Sequence, residues 1–158
     1  MNTHYSLNDE HAYQVWRKAK LQAYPLNLPS LIGVFDHPDV LNPTTIQQLR
    51  KHCEHYNFAL YRFMNPEGIT KKTVHSLAQQ IGLSHIHANL CADEDSLSSI
   101  TITQHEGQHD YIPYTDKALS WHTDGYYHTM TDHIHGMLLH CAQPAWQGGE
   151  SCWMDHDI

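Results

Sequence analysis

The sequence predicts an α+β fold, and three observations carry the prediction. Three segments with helical periodicity lie in the first half of the 158-residue chain, and most of the segments with a strand-like pattern follow in the second half. A hydrophobic content of 41% is enough for a packed core. Helices followed by strands favour an antiparallel sheet with the helices packed on it.

Three helices are predicted over residues 9–23, 43–56 and 71–81, because apolar residues recur there with helical spacing. Their inward stripes are Ala12, Val15, Trp16, Ala19 and Ala23; Ile46, Leu49, Cys53 and Tyr56; and Val74, Leu77, Ala78 and Ile81. Pro43 suits the first position of its helix. Thr70 and Gly82 are typical of the start and the end of the third.

Five strands are predicted, over residues 31–35, 58–63, 99–103, 134–141 and 151–154. Ile100 and Ile102 alternate with small polar residues, which is the pattern of a strand with one buried face. Gly148 and Gly149 predict a turn between the last two strands.

The composition excludes several classes of partner. A formal net charge of −8 argues against binding to nucleic acid or to an anionic membrane, since both are bound through an excess of Lys and Arg. No apolar run approaches the ~20 residues needed to span a bilayer. The four cysteines are too widely spaced for paired metal motifs, and together with the absence of a signal peptide they fit a reducing cytoplasm. Cys141 and Cys152 are either buried free thiols or a disulfide.

The most informative motif is His122-Thr123-Asp124, which enters a turn at Gly125. An imidazole nitrogen and a carboxylate oxygen presented together suit Fe(II), which non-haem oxygenases hold with two His and one carboxylate. A second triplet, His37-Pro38-Asp39, shows that the spacing alone has little specificity. Only the context of the two motifs separates them.

That context resembles the taurine dioxygenase (TauD/TfdA) family. The blocks are Trp121-His122-Thr123-Asp124 with Tyr127, then Leu139-His140-Cys141, then Gly148-Gly149-Glu150-Ser151, in the family's order, before an Asp at 155. The resemblance implies a double-stranded β-helix, or jelly roll, and oxidation of a small-molecule substrate with Fe(II) and 2-oxoglutarate. It implies His122 and Asp124 as iron ligands and Ser151 as a hydroxyl contact to 2-oxoglutarate.

The family also needs a distal His ligand and an Arg that pairs with the far carboxylate of 2-oxoglutarate. No Arg or Lys follows Lys117 in this sequence. We therefore expect one domain over residues 1–158 that is incomplete at its C-terminal end. Residues 1–95 would form the N-terminal portion of helices and strands, and residues 96–158 the start of a partial β-helix core.

Each site residue also has a plainer interpretation. His122 and Asp124 could form a surface turn in which Asp124 bonds backbone amides. Trp121, Tyr126 and Tyr127 either line a substrate pocket or pack beneath the motif. The remaining candidates are Tyr111 and Tyr114, as aromatic faces for a cation or as ordinary packing, and His133, His135 and His140, as a surrogate third ligand or as solvated side chains.

Two hypotheses follow for the whole chain. In the first it belongs to an Fe(II)/2-oxoglutarate dioxygenase whose distal His and Arg come from a second subunit or a second copy. In the second it is a non-catalytic half-domain that binds metal weakly or serves as an oligomerising or regulatory subunit. A homo-oligomer is expected under both, because an open half-barrel has unpaired strand edges.

Overall fold

The computed structural model describes residues 8–25, 27–86, 97–104, 107–108, 110–125 and 128–155. The chain divides into two compact units, the first formed by residues 1–69 with 141–158 and the second by residues 70–140. The first contains α1 (Glu10–Ala23), a 3-10 helix (Leu28–Leu31), β1 (Ile32–Phe35), α2 (Pro43–Tyr56) and β2 (Leu60–Phe63). The second contains α3 (Lys71–Ile81) and a 3-10 helix (Ile112–Tyr114).

All three predicted helices are confirmed, and side-chain caps explain where they begin. The Asp9 carboxylate accepts a hydrogen bond from the Ala12 amide at 2.9 Å, and the Asn42 side chain accepts one from the Thr44 amide at 2.9 Å. Each bond satisfies a backbone donor that the first turn of a helix leaves without a partner. Pro43 occupies the first turn of α2, as predicted.

Two of the helices end at a residue with a left-handed backbone conformation. Asn57 ends α2 with φ 63°, and Gly82 ends α3 with φ 114°. Gly82 was predicted in this role, because glycine adopts such a conformation without a steric penalty.

The sheet is parallel, and the predicted antiparallel sheet is therefore wrong for the first half of the chain. β1 pairs with β2 from Ile32 opposite Leu60 to Phe35 opposite Phe63. The physical reason lies in the connection, since α2 is a crossover long enough to return the chain to the same end of the sheet. The predicted order of strand, helix and strand was itself a signal of parallel pairing.

The core of the first unit lies between this sheet and α2. The rings of Phe35 and Phe63 are 5.4 Å apart, and both residues are buried. Gly33 permits a close approach, because a Cβ atom there would lie 2.7 Å from Leu49 Cδ2 and 3.0 Å from Thr45 Cγ2. The buried apolar side chains of this unit are Leu31, Phe35, Ile46, Leu49 and Phe63.

The inward stripes of the first two helices are only partly correct. α1 buries no residue, and Val15 on its predicted inner face is 57% exposed. In α2 the prediction is confirmed for Ile46 and Leu49, whereas Cys53 is exposed. Periodicity identifies an apolar stripe but does not show how much protein covers it.

The second unit has a small core around α3. Leu77 and Ala78 are buried there, as predicted, and Tyr114 is 4% exposed. Thr70 and Thr73 form a reciprocal capping box at the start of α3. Tyr114 is thus a packing residue rather than an open face for a cation.

Three predicted strands are not present as strands. Residues 99–103, 134–141 and 151–154 are described, and none belongs to a hydrogen-bonded sheet. Within these segments Ile102 is 67%, Leu139 50% and Met154 69% exposed. Alternation in a sequence records a preference for a pleated, half-covered surface, but a strand needs a partner strand to become part of a sheet. The structure shows an α+β fold, and it does not show the double-stranded β-helix.

Two smaller expectations concern cysteines and membranes. Cys141 and Cys152 are free thiols, so the disulfide alternative is wrong, and both are exposed rather than buried. In the part of the chain that the structure describes, no helix has the length and apolar character needed to cross a bilayer.

Candidate metal site

His122 and Asp124 present a nitrogen and an oxygen donor side by side. His122 Nε2 lies 3.9 Å from Asp124 Oδ1, and the two side chains are 44% and 50% exposed. His122 Nδ1 is 2.7 Å from the carbonyl oxygen of Ser120. A carbonyl only accepts, so Nδ1 carries the proton and donates it. The lone pair of Nε2 is therefore available to a metal ion.

This arrangement is typical of metal-binding histidines. Such residues usually donate their other ring nitrogen to a carbonyl or a carboxylate, which sets the tautomer and the ring orientation. The pair fits two of the three protein positions in a two-His, one-carboxylate iron site. The Ser120 carbonyl is a partner that sequence analysis missed, since no residue type signals a backbone contact.

The turn after the motif is held by close packing. Gly125 has φ 72°, and a Cβ atom there would lie 2.7 Å from Ile134 Cδ1 and 2.9 Å from Ile134 Cγ1. The Gly125 carbonyl accepts a hydrogen bond from the His128 amide at 3.0 Å. His128 Nδ1 lies 3.7 Å from Asp132 Oδ2. These contacts hold Gly125, the residue directly after Asp124, against Ile134 and His128.

The second triplet differs in its tautomer. His37 Nδ1 accepts a hydrogen bond from the Asp39 amide at 3.3 Å, so the proton of the neutral ring lies on Nε2. The same Nδ1 is 3.5 Å from Asp39 Oδ2, within a turn closed by the Val40 amide on the His37 carbonyl at 3.3 Å. The Asp39 amide thus already engages His37 Nδ1, the ring nitrogen that faces the Asp39 carboxylate. The two H-x-D triplets therefore differ in how backbone groups engage the Nδ1 atom of the ring.

The other predicted site residues are placed as follows. Ser151 is exposed and belongs to the first unit, whereas His122 and Asp124 belong to the second. Gly148 and Gly149 precede it with φ 73° and 79°, as a turn requires. Trp121 is 68% exposed, so its predicted packing beneath the motif is wrong. Tyr126 and Tyr127 lie outside the described residues.

The histidines considered as surrogate ligands do not complete a metal site in the described residues. No group of three or more His, Cys, Asp or Glu side chains there is placed to hold a metal ion. His133 Nδ1 bonds the Met130 carbonyl at 2.8 Å, and its ring lies 4.2 Å from that of His135. Burial lowers the pKa of His140 from its ordinary value of 6.5, which favours the neutral ring.

Replacement of Gly125 should weaken metal binding. A methyl group at residue 125 would press on the Ile134 side chain and would strain a backbone that has φ 72° directly after Asp124. We expect Gly125→Ala to lower the Mn(II) affinity by roughly tenfold, comparable with the loss of an outer partner of a metal ligand. Calorimetry with Mn(II) measures the change.

Gly107 provides the matched control for this test. It has φ 88°, so alanine there meets the same conformational strain, but among the described residues no atom beyond its chain neighbours lies within 4 Å of the point that the alanine Cβ would occupy. Gly107→Ala should therefore leave the Mn(II) affinity unchanged. Equal losses in both variants would show that packing at Gly125 does not support the site.

Of three comparisons with known proteins, one gave a match. The sequence profile described as Taurine catabolism dioxygenase TauD, TfdA family matches residues 24–156, which is most of the chain. Neither the comparison with curated proteins nor that with solved structures gave a match. Members of the matched family are Fe(II)/2-oxoglutarate dioxygenases. The resemblance seen in the motif order is confirmed, and the chain belongs to the TauD/TfdA family.

Proposed function

We propose that this chain supplies two iron ligands and a 2-oxoglutarate contact to an Fe(II)/2-oxoglutarate-dependent dioxygenase that oxidises a small molecule. The observation that carries the proposal is the His122 tautomer. Its Nδ1 proton is donated to Ser120, which leaves Nε2 open beside the Asp124 carboxylate. Family membership makes Fe(II) the metal that this donor pair would hold.

Each residue then has a defined role. His122 Nε2 and a carboxylate oxygen of Asp124 bind the metal, and the Ser120 carbonyl keeps the imidazole in the binding tautomer. The Ser151 hydroxyl donates a hydrogen bond to 2-oxoglutarate. When bound, Fe(II) would supply the redox chemistry, with dioxygen as the oxidant: one oxygen atom would enter succinate as 2-oxoglutarate loses carbon dioxide, and the other would hydroxylate the substrate. A distal His and an Arg from a second subunit or a second copy of the chain would complete the site.

The substrate is a small molecule that approaches over Trp121, with Tyr126 and Tyr127 as further pocket residues. The exposure of Trp121 directly before the ligand His122 supports this assignment. We also propose a cytoplasmic location, supported by the free thiols of the described cysteines, and completion of the family's β-helix in the assembled enzyme.

The alternative is a non-catalytic half-domain that binds metal and associates with other chains. Large apolar side chains on its surface favour association, since soluble monomers rarely expose many together. In the first unit Trp146 is fully exposed, and Trp153 is 60% exposed. A homo-oligomer or a second subunit fits both functions.

One titration separates the two functions. The affinity for 2-oxoglutarate is measured by calorimetry with and without saturating Mn(II), a redox-inert stand-in for Fe(II). If the site is that of the dioxygenase, the metal should raise the affinity at least about fivefold, because 2-oxoglutarate chelates the metal. Metal binding without any effect on 2-oxoglutarate would favour the half-domain.

A further inference from the structure

Asp155 joins three distant parts of the first unit. Its Oδ2 atom forms an ion pair with Lys20 Nζ of α1 at 2.9 Å. Its Oδ1 atom accepts a hydrogen bond from Asn57 Nδ2, just after α2, at 3.2 Å. Lys20 Nζ also lies 5.1 Å from the ring centre of Trp16, one turn earlier in α1.

The ion pair is buried, whereas the chain beside it is exposed. The Lys20 and Asp155 side chains are 10% and 5% exposed. Trp153 and Met154, immediately before Asp155, are 60% and 69% exposed, and Ser151 and Cys152 are exposed as well. The segment of residues 148–155 is here called the Ser151 segment. Asp155 is the residue at its end whose side chain is buried.

A buried pair of this kind depends on both partners. Removing one charge leaves the other in a low-dielectric environment without its counter-ion, which is strongly destabilising. The loss acts directly on Asp155, at the end of the Ser151 segment, and on Lys20, in α1. The hydrogen bond from Asn57 to the carboxylate is neutral and does not replace the counter-charge.

We propose that Lys20 is a positioning residue that holds the Ser151 segment in place through Asp155. Ser151 lies four positions before Asp155, which corresponds to at most about 14 Å of extended chain. Release of the anchor would therefore displace the Ser151 hydroxyl. The part of the proposal that concerns 2-oxoglutarate rests on the function proposed above, whereas the anchoring does not.

Hydrogen exchange of the intact chain tests the anchoring. The variants are Lys20→Met, which keeps an aliphatic stem over Trp16, and Asp155→Asn, which keeps the shape of the carboxylate. Each should speed exchange in peptides that cover residues 148–155 at least about tenfold, with α3 as the internal reference. Lys18→Met, an exposed lysine of the same helix, is the control and should change nothing.

The double variant keeps the test informative if a single variant unfolds. Lys20→Met with Asp155→Asn removes both charges, so the segment should be better protected than in Lys20→Met alone. Unchanged exchange in both single variants, or a double variant that merely adds their effects, would overturn the anchoring.

The link to the co-substrate is tested on the same variants. With Mn(II) bound, Lys20→Met should weaken 2-oxoglutarate binding at least about fivefold while the Mn(II) affinity stays unchanged, because the variant alters neither ligand of the candidate metal site. Faster exchange with unaltered 2-oxoglutarate affinity would refute the positioning role. A wild-type chain that binds no 2-oxoglutarate would count against the proposed function, and the exchange result would still decide the anchoring.

Discussion

His122→Ala and Asp124→Ala should each lower the Mn(II) affinity by well over tenfold. Each change removes one of the two donor atoms that the structure brings to 3.9 Å, and a single remaining donor holds a divalent ion weakly. The expected loss exceeds the 10- to 100-fold cost typical of removing an outer partner of a ligand, because the ligand itself is lost. Calorimetry with Mn(II), or with Fe(II) without oxygen, measures it.

His37→Ala and Asp39→Ala are the matched controls, because they alter the second H-x-D triplet of the same chain. His37 Nδ1 is already engaged by the Asp39 amide, and both side chains are more exposed than those of the candidate site. We expect the Mn(II) affinity to stay unchanged in both. Equal losses at the two triplets would mean that neither context nor tautomer identifies the metal site.

His122→Gln would separate the metal ligand from a residue that merely packs. An amide side chain of similar reach keeps the volume but offers a far weaker donor to a transition metal than imidazole. If the Mn(II) affinity falls in this variant while the thermal midpoint of the apo chain stays unchanged, His122 acts through its nitrogen. Asp124→Asn serves the same purpose for the carboxylate.

The helices could be predicted because their signals are local. Backbone geometry favours proline, threonine and glycine at helix boundaries in any fold. In the structure Pro43 begins α2, and Thr70 and Gly82 cap the two ends of α3. The inner face of α3 was equally predictable, since Leu77 and Ala78 meet a neighbour that covers them.

The sheet could not be predicted in the same way. Pairing is a long-range property, and only a comparison of β1 with β2 across the intervening helix reveals that they run parallel. Residues 134–141 carry a strand-like pattern, yet no partner strand pairs with them in the described structure. Lys20 and Asp155 show the same limit, because their ion pair joins residues far apart in sequence.

For the candidate site, the order of the motifs identified the family. The structure adds the backbone contacts of the two histidines, which no motif contains. The proton on His122 Nδ1 depends on a backbone carbonyl two residues away, and the proton on His37 depends on a backbone amide. The two triplets have the same spacing but opposite tautomers. The difference lies in which backbone group, a carbonyl or an amide, meets the ring.

The isolated 158-residue chain should release succinate from 2-oxoglutarate slowly or not at all, even where it binds metal. Two ligands leave the metal less firmly oriented than three, and no Arg or Lys after Lys117 is present to pair with the far carboxylate of 2-oxoglutarate. A charge-assisted hydrogen bond contributes about 1.5–3 kcal/mol, so loss of a two-bond pair weakens binding by roughly 10² to 10⁴. The Ser151 hydroxyl offers one neutral bond and does not offset this.

Succinate is measured with the purified chain, Fe(II), ascorbate and a panel of small carboxylates, sulfonates and betaines. A chain from which Fe(II) is withheld provides the background, and His122→Ala shows whether any turnover passes through the candidate site. Rapid succinate formation that His122→Ala abolishes would mean that a residue within this chain completes the metal site. His133, His135 and His140 would then be replaced in turn, because the site needs a further nitrogen donor and these three imidazoles belong to the same unit as His122.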